Sequence, residues 1–311
     1  MEMISTRRVL LFAALAVGPV AANAQTASDR DLGSDIRQRP TSPGAPQRDF
    51  EVALTAPILF TTNAVRESAV EAGLPASQKS DWHFNPDLLG RWSHQFSSFK
   101  ASASLDAMVD RFFTQTDQDE DSLFGNVKLA LTDGRSDLFV PYVAYAATMD
   151  LRPDFRTRDD TLHDFAAGIS SAFAYARDWH SIRPRDAIDP GNLSISFDLS
   201  AGRRLADPSL FENTFVIAAA DLVYVVNGDW AVGLTPKFRV RWYDNFEGES
   251  RRDYRLSAGL RAVWTPQWLT RLVRRGEIDF TATFRRNAST VSRESFSEWE
   301  FGPAAVFAWR F

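Results

Sequence analysis

The stretch Glu298-Trp299-Glu300-Phe301-Gly302-Pro303-Ala304-Ala305-Val306-Phe307-Ala308-Trp309-Arg310-Phe311 decides the fold. Side chains two apart share one face of a β-strand. One face therefore reads Trp299, Phe301, Pro303, Ala305, Phe307, Trp309 and Phe311, a nearly continuous apolar wall. The other reads Glu300, Gly302, Ala304, Val306, Ala308 and Arg310, which are small or charged.

The same period of two runs back through the chain. In 99–111 one parity carries Phe99, Ala101, Ala103, Leu105, Ala107 and Val109, and the other Lys100, Ser102, Ser104, Asp106, Met108 and Asp110. In 191–201 Leu193, Ile195, Phe197 and Leu199 alternate with Ser194, Ser196, Asp198 and Ser200. In 276–285 Ile278, Phe280, Ala282 and Phe284 alternate with Glu277, Asp279, Thr281, Thr283 and Arg285. Charge keeps to one parity. Counted this way, about twelve strands are predicted: 50–61, 86–97, 99–112, 121–133, 137–150, 161–178, 191–204, 213–227, 229–244, 252–265, 276–290 and 298–311. Most exceed the roughly 9 to 11 residues that cross a bilayer at a tilt.

An even count brings both ends of the strand array to the same side, the periplasmic one in a membrane barrel. The connections alternate in character. Ser97-Ser98, Asp133-Gly134-Arg135-Ser136-Asp137 and the hairpin signal Asn227-Gly228 fall at one end. Segments 62–85, 113–120, 151–160, 205–212, 245–251 and 291–297 fall at the other. Two near-side links, 179–190 and 266–275, are long. In the second, Thr265 as N-cap, Pro266 at the first helical position, and Trp268, Leu269, Leu272 and Val273 predict a short amphipathic helix at the rim.

Residues 1–24 read as a secretory signal peptide, with Arg7 and Arg8 before an apolar run from Val9 to Val20 and a small-x-small site, Ala22-Asn23-Ala24, ahead of Gln25. That run falls short of the roughly 20 residues of a spanning helix. Residues 25–49, with Pro40, Pro43 and Pro46, lack periodicity and read as a disordered lead-in. Residues 50–311 are the strand domain. Cys is 0, so no disulfide or thiolate chemistry is available, and a net charge of −5 gives no footprint for nucleic acid.

A chain that ends on an aromatic, follows a signal peptide and sets Tyr224, Trp230, Trp242, Trp264, Trp299 and Trp309 near strand ends on the apolar parity resembles the porin-like outer-membrane β-barrel proteins of Gram-negative bacteria. The resemblance implies an all-β fold, a single antiparallel transmembrane barrel of about twelve strands whose apolar parity faces lipid. It also implies that Phe311 and Trp309, with Phe307, form the signal read by the barrel-insertion machinery, and that membrane lipid and lipopolysaccharide surround the wall.

On that reading, strand 229–244 sends Lys237, Arg239 and Arg241 into the lumen, and its hairpin partner sends Arg255 and Arg261. Asp106, Asp110, Asp198, Glu277 and Asp279 lie on the inner parity of other strands, so walls of opposite sign are expected to face each other across the bore. Such a field favours passage of small polar or charged solutes, anions among them. The alternative is a barrel whose charges pair and fill it, acting through its loops or its Pro-rich tail. Loop 62–85, with Arg66, Glu67 and Glu71, is the candidate gate.

Enzymatic readings find little support. The histidines are His83, His94, His163 and His180, and the serine beside His94, Ser93, points to the opposite face. No outer-membrane phospholipase pattern surrounds them, so girdle or loop roles are expected and no catalytic residue is assigned. Asp117, Asp119 and Asp121 begin like a calcium loop, but Ser122 and Lys128 occupy the positions that need Gly and Glu. A solvated acidic loop is expected there, with no metal and no cofactor.

Overall fold

The computed structural model describes residues 50–64, 80–132, 139–155, 158–175, 182–183, 193–227, 229–244, 246, 248–272 and 275–311. The leader and lead-in assigned to 1–49, the signal-cleavage residues Ala22, Ala24 and Gln25, the gate residues Arg66, Glu67 and Glu71, and the turn 133–137 lie outside them.

The alternating segments form β1 (Phe50–Thr61), β2 (Asp81–Phe84), β3 (Asp87–Gln95), β4 (Lys100–Phe112), β5 (Glu120–Ala130), β6 (Val140–Leu151) and β7 (Arg158–Tyr175). They continue as β8 (Ile182–Arg183), β9 (Leu193–Asp207), β10 (Asn213–Val225), β11 (Trp230–Tyr243), β12 (Arg252–Trp264), β13 (Arg275–Ser289) and β14 (Phe296–Arg310). Every pairing is antiparallel, β1 with both β2 and β3, β4 with both of these, β7 with both β8 and β9 and the others each with the next in sequence, until the ends meet, where β14 pairs with β1 from Glu51 opposite Arg310 to Thr61 opposite Glu300. The sheet is a closed barrel of 12 strands, with β8 as a short extra strand paired to β7. Closure leaves no open edge.

One departure from the sequence reading has a physical cause. The second stave starts at Asp81, within the segment read as loop, because β2 and β3 are one stave interrupted at Asn85-Pro86. Pro86 has no N–H to give the ladder, yet its carbonyl accepts from Val109 N at 3.0 Å and the stave resumes. The rim helix, α1 (Gln267–Leu272), begins after Pro266, with Leu269 buried and Trp268 exposed. At the opposite end, short 3₁₀ turns close the connections at Thr116–Gln118, Pro153–Phe155, Ser209–Phe211 and Ser292–Glu294.

Burial settles the polarity of the wall. Leu256, Leu260 and Phe280 are 51%, 59% and 46% exposed, whereas Arg239, Arg241 and Asp279 are 3%, 5% and 0% exposed. A soluble barrel would reverse this order, since water, not lipid, would bathe its exterior. No helix among the described residues is long and apolar enough to cross a membrane. The strands do the crossing.

Candidate functional site: the barrel lumen

Register places the basic wall. Across the β11–β12 hairpin, Lys237 stands opposite Ser257, Arg239 opposite Arg255, Arg241 opposite Asp253 and Gly233 opposite Arg261. The Arg261 guanidinium lies over Gly233, where a Cβ would stand 3.3 Å from Leu222 O and 3.4 Å from a guanidinium nitrogen. Arg255 reaches Asn287 Oδ1 at 3.4 Å and lies 5.2 Å above the Phe296 ring. At the outer end Arg251 binds Asp253 at 2.6 Å and Glu294 at 2.9 Å, covering the rings of Tyr243 and Phe246 at 4.3 Å. Burial disfavours the Arg251 charge, but its hydrogen bond to Asp253 and the nearby Glu294 carboxylate hold the guanidinium above its ordinary pKa.

The acidic residues divide into two groups. Around the ring of twelve, β4 is the third stave and β11 the ninth, half a circumference apart. Asp106 and Asp110 on β4 therefore stand across the bore from the basic wall. Asp198, Glu277 and Asp279 do not. Asp198 on β9 lies two staves from Lys237, with Ala219 between them, and Glu277 and Asp279 sit on β13, next to the stave of Arg261. The expectation of wholly opposed walls is corrected here: face parity can be read in a sequence, but position around the ring depends on closure.

Several lumen groups escape a parity reading because parity gives the face and not the register or closure that sets partners side by side. Arg285 binds Glu298 at 2.5 Å and Glu300 at 3.1 Å. Glu300 lies 3.5 Å from His83 Nε2, while His83 Nδ1 is 2.7 Å from Asp110 and its ring stacks on Phe112. The chain from Glu298 to Asp110 thus laces β14, β13, β2 and β4 across the closure seam. His83 is a lumen group and not the girdle or loop residue expected of it. Arg204 holds Asp164 through two bonds of 2.7 Å. Tyr142 donates to Asp198 at 2.8 Å, and Lys128 Nζ lies 3.6 Å above the Tyr142 ring.

Apolar side chains share this interior. Phe124, Tyr142, Phe215 and Ile217 form one buried cluster with Ala144, Ala146 and Ala166. The Phe215 ring lies over Gly202 and that of Tyr142 over Gly168, each where a Cβ would come within 2.6 Å of the ring. The bore is thus narrowed by packed rings as well as by charge.

The other singled-out residues are structural in their contacts. His94 stacks on Trp92 and meets Phe96 edge-on, and Tyr145 hydrogen-bonds His163 Nδ1 at 2.9 Å, both pairs on the outer face. His180 lies outside the described residues. The acidic loop is a clamp and not a solvated run: Asp119 accepts from Phe112 N at 2.8 Å, while the fully buried Asp121 accepts from Phe155 N at 2.9 Å and binds Arg111 at 2.7 Å. Among the described residues no group of three or more His, Cys, Asp or Glu side chains has metal-holding geometry. Phe307, Trp309 and Phe311 lie on the outer face, and Phe311 N donates to Phe50 O at 3.0 Å.

A closed antiparallel cylinder, apolar outside and ionised within, defines a bacterial outer-membrane β-barrel, and this protein is one. No family model matches the sequence, and no curated protein matches it. Solved barrels resemble its architecture. An outer-membrane channel from Pseudomonas putida F1 is 10% identical, with 86% of this chain and 100% of that one covered and a TM-score of 0.44. The KdgM porin in complex with disordered oligogalacturonate is 7% identical over 82% and 98%, at 0.41. The translocator domain of the autotransporter NalP from Neisseria meningitidis is 9% identical over 85% and 90%, at 0.39. At such scores the likeness bears on no function.

Proposed function

We propose that this barrel is a narrow passive channel for small polar or charged solutes, with anions favoured. The observation that carries the reading is the Arg239 and Arg255 wall of β11 and β12, set six and five staves around the ring of twelve from Asp106 and Asp110 on β4. Opposed charge across a low-dielectric bore produces a transverse field that orients dipolar solutes and selects among ions. The ion pairs and the Phe124, Phe215 and Ile217 cluster keep that bore tight, so unitary conductance is small. The reading includes no catalytic step.

The same cluster favours a second reading, a non-conducting barrel working through its outer loops. Planar-bilayer recording separates the two. Discrete steps with a reversal potential on the anion side of a salt gradient support the channel, cation-side reversal removes the anion preference, and a silent bilayer with folded protein supports the second reading.

A further inference from the structure

The outer face carries arginines near the ends of strands, where a charge on the lipid side is costly unless it reaches the interface or a partner. Three of them are neutralised by the protein. Arg111 binds Asp121 at 2.7 Å, and Arg158 binds Asp207 at 2.7 Å. Arg203 binds Asp244, whose carboxyl that hydrogen bond holds below its ordinary pKa, and Glu212.

Arg252 and Arg286 differ. Both are exposed on the apolar parity, Arg252 at the first residue of β12 and Arg286 three residues before the end of β13. Neither has an ion-pair partner among the described residues. Arg286 is in register with Leu256, so Arg252 lies four residues further toward the outer rim, about 13 Å along the strands. Trp242 stands opposite Arg252, and Phe284, two residues below Arg286 on the same face, packs on Trp299 at 5.0 Å. Two guanidinium groups without an ion-pair partner among the described residues thus rise from an aromatic girdle at the end of the barrel remote from Phe50 and Phe311.

We propose that Arg252 and Arg286 form a docking site for a phosphate-bearing lipid headgroup of the outer leaflet. The chemistry is a charge-assisted, bidentate guanidinium–phosphate contact, the girdle rings flank the acyl region, and the spacing suits a headgroup long enough to engage both arginines. The inference rests on the placement in the membrane and not on conduction, so a silent channel leaves it standing.

The test uses the refolded barrel with bisphosphorylated lipid A as the probe, measuring binding by the shift of its thermal transition and by lipid retained through detergent washing. Wild type is expected to bind. R252Q/R286Q, which removes two charged contacts, should lose at least about tenfold in affinity, while R158Q, whose arginine is already paired, keeps wild-type affinity. Lipid A stripped of phosphate should bind wild type only as well as the double variant binds the intact lipid. R252K/R286K, which keeps charge but not the fork, should fall between. Equal binding by wild type and R252Q/R286Q, with both shown to be folded by the gel shift of heated against unheated samples, would overturn the site. Displacement of the lipid by inorganic phosphate at matched phosphate concentration would overturn the lipid assignment and mark a free-anion site.

Discussion

Arg239 and Arg255 occupy directly opposed positions on β11 and β12, two cations on one inner face of the barrel. Like charges placed opposite one another destabilise a sheet, so this pair persists only because the lumen supplies compensation, including Asp253 opposite Arg241 on the same hairpin. Removing the cations should therefore alter permeation more than folding. R239Q/R255Q is expected to shift the anion-to-cation permeability ratio toward cations by roughly fivefold, about 1 kcal/mol of barrier. Reversal potentials before and after the substitution check it, and an unchanged ratio would detach these residues from selectivity.

Most of the wall was legible because period two is a strong signal when lipid lies on one side and charge on the other. Phe280 and Asp279 are adjacent in sequence and face opposite solvents. The contents of the lumen were less legible. That His83 meets Asp110 and Glu300 depends on β1 pairing with β14 and on a stave interrupted at Pro86, neither of which leaves a local pattern. Phe215 and Tyr142 sit on the inner parity against the polarity rule, and the glycines that admit them, Gly202 and Gly168, lie on other strands. Closure and register bring those residues together.

The Arg285 site predicts a large stability loss. Its guanidinium is buried between Glu298 and Glu300, and truncation to Ala would strand two carboxylates. R285A should cost about 3–5 kcal/mol, whereas R285M/E298Q/E300Q, which removes the charges together, should recover most of it. Urea unfolding in lipid vesicles, followed by tryptophan emission, measures both. A loss below about 1 kcal/mol for R285A would place the pair in solvent-screened surroundings.

The seam predicts a steric loss. A Cβ on Gly302 would lie 2.1 Å from Ile58 O and 3.0 Å from Leu59 Cα, both backbone atoms of the closing strand β1. Backbone cannot rotate aside as a flexible side chain can, so G302A should cost roughly 1–3 kcal/mol and slow closure. Gly90 is the control, since its nearest neighbour, Leu105 O, would be 3.8 Å away, an ordinary contact. Refolding followed by the gel shift of folded against heated protein should show G302A delayed and G90A close to wild type. Equal behaviour of the two would mean that the seam yields more readily than its spacing indicates.

The end of β14 separates stability from assembly. Phe311 is 70% exposed, and its described tie to the barrel is the backbone bond from its N–H to Phe50 O, which an alanine retains. Trp309 lies two residues back on the same outer face. W309A/F311A should therefore refold in detergent nearly as wild type, with a stability change of about 1 kcal/mol or less from lost surface contacts. In cells the resemblance to outer-membrane barrels predicts a different outcome, because the insertion machinery would find neither aromatic and the amount of folded barrel in the outer membrane should fall severalfold. The comparison of detergent refolding with cellular yield is what decides. Parallel losses in both would make these aromatics part of the barrel's own stability, and no loss in either would leave the last strand without an assembly role.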